Sequence, residues 1–388
     1  MQPRIRHLAF ISGLAVSAIV PGAAATANDH SASTGDCDPD AALAELESTV
    51  LSTGPNGEEP TAASELSLTD EEVAEVQAMG ATAAIVFHYA GNDWSQAQQD
   101  GLNATFDELG IEVIATTDAN FESTRQVSDI ETVLTQDPDI IVSIPTDAVA
   151  TASAYQQAAD AGVHLVFMDN VPSGFTQGED YVSVVSADNY GNGVASAHLM
   201  AKALDCEGTV GVVFHAADFF VTQQRVDAFR ATMEESYPGI EIVDEQGIGG
   251  PDFTGDAEKS ASAILTANPD VDGIWAVWDV PAEGVMAAAR TAGRDDLVIT
   301  TIDLGENVAI GIANGDLVYG LGAQRPYDQG VAEATLAAYA LLDKEAPAYV
   351  ALNALPVTQE NLLEAWQAVY HSDAPETIGG GAPGTTGG

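Results

Sequence analysis

The stretch VSADNYGNG at residues 185–193 lies midway between two similar series of apolar runs. The first series has runs rich in β-branched and aromatic residues at 82–87, 111–115, 139–144 and 163–168. The second series repeats the pattern at 209–214, 240–243, 272–278, 297–302 and 317–321. Segments of helical length separate the runs, and strands that alternate with helices indicate parallel sheets. We therefore predict an α/β fold of two doubly wound lobes, with a crevice outside the carboxyl ends of the strands.

Residues 1–27 have the composition of a secretory signal peptide. A basic start precedes an apolar run at 8–20, and small residues follow, so we predict cleavage after Ala25 or Ala27. An uncleaved membrane anchor is the alternative, but the run is short for a span and its end is rich in Gly, Pro and Ala. Cys37 follows Asp36 rather than a small residue, so we expect no lipid anchor. The mature protein is predicted to be periplasmic or extracellular.

The chain is strongly acidic, with 59 Asp and Glu against 11 Lys and Arg and a formal net charge of -48. This charge excludes a nucleic-acid-binding surface, which needs a basic stripe, and disfavours anionic membrane surfaces. The chain is not predicted to be disordered, because 46% of it is hydrophobic and the apolar runs are periodic. Screening relieves self-repulsion of this size, so we interpret the acidity as an adaptation to a saline environment.

Two segments flank the predicted lobes. An acidic leader at 28–79 contains a weak helix at 40–50 and a second helix capped by Thr69, and we expect it to pack on the outside of the first lobe. A segment at 356–370 is predicted to be one amphipathic helix. From residue 373 to 388 the chain is rich in Gly and Pro and is predicted to be a flexible tail.

The two cysteines, Cys37 and Cys206, are compatible with a disulfide in an exported protein, but their spacing does not require one. Cysteine and histidine show no metal-ligand spacing, and no Ser or Cys lies in a nucleophile elbow. His88 and His215 end predicted strands and are candidates for neutral groups that line the crevice. We expect no metal, no cofactor and no catalytic residue.

Seven motifs carry a family resemblance: HYAGNDWSQAQQDG (88–101), IPTDAVATASAYQQAADAGVHLVFMDN (144–170), ADNYGNGVASAHLM (187–200), QQRVDAF (223–229), LTANPDVDGIWAVWDVPAEG (265–284), TTIDLGENVAIGIANGDL (300–317) and GAQRPYDQG (322–330). In order and spacing they resemble the ribose/galactose group of periplasmic binding proteins, the solute receptors of sugar ABC importers. The resemblance runs from about Ala81 to Tyr349. It implies two lobes that close on a ligand and present the closed form to a membrane permease.

The resemblance also implies a set of ligand-binding residues at strand ends. In the first lobe they are His88, Asn92, Trp94, Ser95, Asp169 and Asn170. In the second lobe and its crossover they are Arg225, Phe253, Trp278, Asp279, Asp303 and Gln324. Two positions depart from the ribose-type pattern, with Asn170 in place of an Arg and Trp278 in place of an Asn. We therefore expect a ligand with fewer hydroxyls on the Trp278 side, such as a short polyol or a branched or deoxy sugar.

These residue types suit a polyhydroxylated ligand on chemical grounds as well. Planar carboxylate, amide and guanidinium groups can each bond two hydroxyls, and aromatic rings can cover the C–H faces of a sugar. Taken singly, each residue has a structural alternative: Trp278 as a core aromatic, Arg225 as a surface helix residue, Asp303 as a helix N-cap. Their convergence at corresponding strand ends favours a binding site.

The predicted architecture has three crossovers that form a hinge, near 186–188, 323–326 and 345–348. One lobe is assigned residues 80–186 and 325–345, and the other 187–324 and 346–372. We predict a monomeric receptor of a sugar or polyol that delivers it to an ABC permease. A receptor for a chemosensor or sensor kinase is the alternative within this class. A DNA-binding regulator of the LacI type and an enzyme are disfavoured, the first by the signal peptide and the acidity, the second by the lack of catalytic motifs.

Overall fold

The computed structural model describes residues 37–46 and 48–379, so the predicted signal peptide and residues 380–388 of the tail lie outside the described residues. The strands are β1 (Thr61–Ala62), β2 (Thr82–Phe87), β3 (Glu112–Asp118), β4 (Ile140–Ser143), β5 (His164–Met168), β6 (Ser183–Ala187), β7 (Gly208–His215), β8 (Ile240–Ile248), β9 (Gly273–Ala276), β10 (Val298–Ile302), β11 (Val318–Ala323), β12 (Tyr349–Leu352) and β13 (Leu355–Thr358). The helices are α1 (Pro39–Leu46), α2 (Asp70–Met79), α3 (Asp93–Leu109), α4 (Ser123–Leu134), α5 (Ala152–Asp160), α6 (Asn189–Ala203), α7 (Phe220–Ser236), α8 (Phe253–Ala267), α9 (Asp279–Ala292), α10 (Glu306–Asn314), α11 (Pro326–Leu341), α12 (Leu362–Tyr370) and α13 (Glu376–Gly379).

The strands form two sheets, which confirms the predicted fold class. The first sheet has the order β1-β12-β6-β5-β4-β2-β3, and all of its pairs are parallel. The second has the order β13-β11-β10-β9-β7-β8 and is parallel except for β13, which runs antiparallel to β11. Strands such as β4 and β6 are buried along their whole length because helices cover both faces of a parallel sheet.

The chain crosses between the sheets at three places, and the third differs from our prediction. β6 ends at Ala187 in the first sheet, and β11 ends at Ala323 in the second. We placed the last crossover at 345–348, but Tyr349–Leu352 pairs in parallel with β6 and so belongs to the first sheet. The crossover therefore follows Leu352, and the assignment of all of 346–372 to the second lobe was wrong for β12. This strand is too short for a recognisable periodic pattern.

Close helix packing beside the first sheet depends on glycine. A Cβ at Gly101 of α3 would lie 2.1 Å from the carbonyl oxygen of Tyr327, and a Cβ at Gly330 of α11 would lie 2.3 Å from the carbonyl oxygen of Gln98. Real Cβ atoms do not approach so closely, so any side chain at either position would push α3 and α11 apart. The contact holds α11, which follows the second crossover, against the helix that begins at the crevice.

The leader contacts both sheets instead of lying only on the first. Its helix α1 packs through Leu43 and Leu46 against α6, beside the second sheet, and Cys37 forms a disulfide with Cys206. Farther along, β1 joins the first sheet beside β12. Between these points Asp188, in the first crossover, accepts hydrogen bonds from Leu51 N, Ser52 N and Ser52 Oγ at 2.8 Å.

The second leader helix forms as predicted, whereas the C-terminal segments differ from the prediction. Thr69 and Glu72 form a reciprocal capping box at the start of α2, as the sequence indicated. The helix predicted at 356–370 begins later, because residues 355–358 form β13 at the edge of the second sheet. The tail prediction was wrong for residues 373–379, which include α13 and the buried Ile378. Among the described residues, no helix is both long and apolar enough to cross a membrane.

Candidate functional site

A cavity of about 60 Å³ lies between the carboxyl ends of the two sheets. Most of the residues predicted to bind ligand line it: His88, Asn92, Trp94, Asp169, Arg225, Trp278, Asp303 and Gln324. All but Arg225, in the second turn of α7, follow a strand or lie at the start of the next helix, because parallel strands bring their carboxyl ends to one edge of the sheet. The two carboxylates at strand ends have left-handed backbone conformations, with φ of 56° at Asp169 and 69° at Asp303, which Asp tolerates better than most residues.

Arg225 is the centre of a buried hydrogen-bond network. Its Nε donates to Asn189 Oδ1 at 2.8 Å, and its Nη1 lies 3.3 Å from Asp303 Oδ2. Gln324 Nε2 donates to the other Asp303 oxygen at 2.8 Å. Only 4% of the Arg225 surface is exposed, so the guanidinium is held by fixed partners. This geometry excludes the alternative in which Arg225 is a surface helix residue.

Asp169 is connected to the same network through the first crossover. Ser186 Oγ donates to Asp169 Oδ1 at 2.6 Å, and Asn189 Nδ2 donates to Ser186 Oγ at 3.0 Å. Burial raises the pKa of Asp169 to about 6, although the Ser186 hydrogen bond and the charge of Arg225 act in the opposite direction. The Asp169 carboxylate is therefore an incompletely compensated charge at the cavity wall.

Aromatic rings form much of the remaining wall. His88 stacks on Phe219 with ring centroids 5.5 Å apart and meets Phe121 edge-on at 4.7 Å. Trp278 packs edge-on against His215 with centroids 5.5 Å apart. These rings come from both sides of the cavity and line it with aromatic surface, which suits the C–H faces of a sugar.

Both histidines of the cavity are neutral at physiological pH. Burial, and to a lesser extent the charge of His215, lowers the pKa of His88 to about 3. Burial and the charge of Arg225 lower the pKa of His215 to about 4. His215 Nδ1 lies 3.1 Å from Thr222 Oγ1, whereas His88 Nδ1 is buried without a hydrogen-bond partner. His88 therefore offers an unused polar atom to a ligand.

Four predicted residues are near the cavity but do not line it. Ser95 belongs to the capping box of α3, where its backbone N donates to the N-cap Asn92 Oδ1 at 2.9 Å. Asn170 is turned away, with its Nδ2 3.4 Å from Pro145 O. Phe253 lies behind Trp278, with centroids 4.9 Å apart. Asp279 begins α9, where burial and the charge of Asp303 raise its pKa well above the ordinary value.

The cavity also contains residues that the sequence analysis did not select. They are Tyr89, Phe121, Phe219, Val221 and Thr222. Phe219 and Phe220 lie at the start of α7, six and five residues before Arg225, and this aromatic pair shortly after the strand predicted at 209–214 was the available signal. Phe121 follows Asp118 in a turn and offered no such signal. Among the described residues, no cluster of His, Cys, Asp and Glu could hold a metal ion.

Two sheets joined by three crossovers, with a polar and aromatic cavity at their facing strand ends, define a two-lobed solute-binding protein. The chain belongs to the periplasmic binding protein domain family, whose model matches residues 83–346. This finding confirms the family resemblance drawn from the sequence motifs.

Individual relatives are similar at a moderate level. The ribose import binding protein of Bacillus subtilis (strain 168) is 26% identical over 211 residues, which cover 54% of this chain and 65% of that protein. The D-apiose import binding protein of Actinobacillus succinogenes is 23% identical over 246 residues, which cover 63% of this chain and 77% of that protein. The crystal structure of an ABC sugar transporter subunit from Rhodobacter sphaeroides 2.4.1 matches with a TM-score of 0.64 and 27% identity, over 73% of this chain and 99% of that one.

Proposed function

We propose that this protein is an extracytoplasmic receptor that captures a sugar or polyol between its two lobes and delivers it to the permease of an ABC importer. The observation that carries the proposal is the cavity at the facing strand ends, where Asp169, Arg225, Asp303 and Gln324 combine with aromatic faces. Planar polar groups suit vicinal hydroxyls, and rings suit the C–H faces of the same molecule. No chemical step is part of this function.

The ligand set of the proposal is the group that lines the cavity. Asp169, Asp303 and Gln324 would bond hydroxyls, and Asn92 would contribute a further amide from the start of α3. Relatives named for ribose and D-apiose suggest a ligand of pentose size. The Trp278 ring stands where the ribose-type pattern has an Asn, which supports a ligand with fewer hydroxyls on that side.

Several features of the chain outside the site support the cellular part of the proposal. The signal-like composition of residues 1–27 suits export, and the net charge of -48 suits a saline environment. We propose that the protein acts as a monomer, with lobe boundaries at the crossovers after β6, β11 and β12.

A thermal-shift panel of pentoses, hexoses, branched sugars and polyols tests ligand capture. A ligand that binds only the folded state raises the melting temperature, and about one hundred times Kd of free ligand adds about 2.7 kcal/mol of stability. Gln324→Ala should reduce the shift, whereas the exposed Asp107→Asn should leave it unchanged. A complete lack of response to sugars and polyols would refute the proposal.

Delivery is tested in proteoliposomes that contain the candidate permease and its ATPase. Ligand-loaded protein should stimulate both ATP hydrolysis and ligand uptake. Stimulation of a sensor kinase, with no effect on uptake, would instead support the signalling alternative within the same class.

A further inference from the structure

Buried acidic groups outnumber buried basic groups around the cavity. Asp169, Asp279, Asp303 and Glu333 have between 0% and 7% of their surface exposed, and Arg225 is the one buried Lys or Arg among the described residues. A carboxylate without a cation loses its hydration on burial and costs several kcal/mol in free energy. Burial favours the neutral acid at Asp279 and Glu333, and Asp303 contacts Arg225, so Asp169 is the cavity carboxylate that a positive group on a ligand would compensate.

The single guanidinium does not compensate Asp169 directly. Arg225 donates to Asn189, to Val277 O and to Asp303. Asp169 receives one side-chain hydrogen bond among the described residues, from Ser186 Oγ. Burial and the charge of Asp169 raise the pKa of Glu333, on α11, well above its ordinary value, and Glu333 supplies no compensating cation.

Two unpartnered polar atoms of buried cavity residues point independently to a ligand that donates hydrogen bonds. His88 Nδ1 and Gln324 Oε1 have no hydrogen-bond partner, and these residues are 7% and 2% exposed. In the tautomer that carries its proton on Nε2, the neutral His88 ring can accept a hydrogen bond at Nδ1. The aromatic faces of Tyr89 and Phe121, which also line the cavity, attract cations through their ring quadrupoles.

We propose that the ligand is a small polyol or sugar that carries a protonated amine, with the ammonium group bound between Asp169 and the aromatic wall and the hydroxyls bound by the Asp303 end of the cavity. This inference rests on the proposed function and narrows its ligand class. The ammonium supplies the missing positive charge, and its N–H groups supply donors for Asp169 and His88. The parent polyol without the amine can make the same hydrogen bonds but brings no positive charge.

Matched ligand pairs test the inference by calorimetry at pH 7: ribitol with 1-amino-1-deoxyribitol, an inositol with its monoamino derivative, and glucose with glucosamine and N-acetylglucosamine. In at least one set the amine should bind ten times or more tightly than its neutral parent, and acetylation should abolish the gain. Equal or tighter binding of every neutral parent would overturn the amine inference and leave the proposed function intact. Binding of none of these compounds, nor of any sugar or polyol in the thermal-shift panel, would instead refute the proposed function.

Removal of the Asp169 charge tests where the ammonium group of the ligand binds. Asp169→Asn should weaken the amine by about tenfold or more and affect the neutral parent much less, whereas Asp107→Asn, which removes a charge from the exposed face of α3, should change neither. An unchanged preference in Asp169→Asn would overturn the placement.

If that variant does not fold, the wild-type pH profile replaces it. Amine affinity should fall about tenfold between pH 7 and pH 5 as Asp169, beside Arg225, Asp303 and Glu333, gains its proton. A profile that is the same for the amine and its neutral parent would contradict the inference.

Discussion

Asp93 Oδ2 accepts a hydrogen bond of 2.7 Å from the backbone N of Glu306. Asp93 begins α3 beside the first sheet, and Glu306 begins α10 beside the second, so the bond joins the two sides of the crevice. A carboxylate at the N-terminus of a helix also interacts favourably with the helix dipole. Together with the stack of His88 on Phe219, this bond defines a state in which the two sides are in contact.

We expect Asp93→Ala to shift the protein toward a more open form. Loss of an interhelix charge–dipole contact of this kind costs about 1 kcal/mol, which corresponds to roughly fivefold weaker ligand binding. Calorimetry measures the affinity, and small-angle scattering should show a larger radius of gyration. Asp100→Ala, on an exposed turn of the same helix, is the control and should match the wild type. Identical behaviour of both variants would contradict the bridging role.

Ligand should reduce the radius of gyration of the wild-type protein, because closure by hinge motion brings the lobes together. Asp303→Ala should abolish that reduction, since Asp303 holds both Arg225 and Gln324. Scattering with and without ligand makes the comparison. An unchanged radius, with binding proven by calorimetry, would indicate a fixed pocket.

Trp278 should make the cavity prefer a ligand that has an apolar face toward the Trp278 ring. Trp278→Ala should cost about 1 to 3 kcal/mol of binding free energy through lost stacking and burial. Trp278→Asn should shift preference toward aldoses by restoring hydroxyl-bonding capacity. Calorimetry on both variants checks this, and tight ribose binding by the wild type would contradict it.

Asp169 should make the free protein less stable as pH rises. Its pKa is about 6 in the folded state and 3.8 ordinarily, so the folded state favours the neutral acid. The protonated Asp169 therefore stabilises the folded state fully below about pH 4. This stabilisation, about 3 kcal/mol, is lost by about pH 6 to 7. The difference in unfolding free energy, Asp169→Asn minus wild type, should therefore increase by this amount between pH 4 and pH 7. Denaturant titrations that stay parallel over this range would refute the assignment.

Salt should stabilise the protein. With a formal net charge of -48, repulsion between surface carboxylates weakens as the Debye length falls from about 10 Å at 0.1 M to about 3 Å at 1 M. We expect the melting temperature to rise steadily with NaCl up to molar concentration. A flat or falling melting temperature would contradict the saline adaptation.

The position of the cavity could be predicted because it follows from parallel strand order. Asp169 and Asp303 come directly after apolar runs, and the carboxyl ends of those runs must meet at one edge of each sheet. The direction of a side chain could not be predicted in the same way. Asn170 stands beside Asp169 in the sequence, yet a left-handed turn at Asp169 directs it toward Pro145 and away from the cavity.

The aromatic wall shows a second limit of the sequence analysis. Phe121 lies in a loop, where no periodic pattern indicates which way a ring faces. The strands β12 and β13 have four residues each, too few to show alternation or a helical period. The Cys37–Cys206 pairing depends on where the leader runs over α6, and that course is determined by tertiary contacts rather than by local sequence.

The path of the leader adds a further polypeptide connection across the hinge. A covalent bond fastens its start beside the second sheet, β1 anchors its end in the first, and Asp188 fixes the middle to the first crossover itself. The span between Ser52 and Thr61 therefore connects the first crossover to the edge of the first sheet. We expect this additional connection to restrict how far the lobes separate in the ligand-free protein.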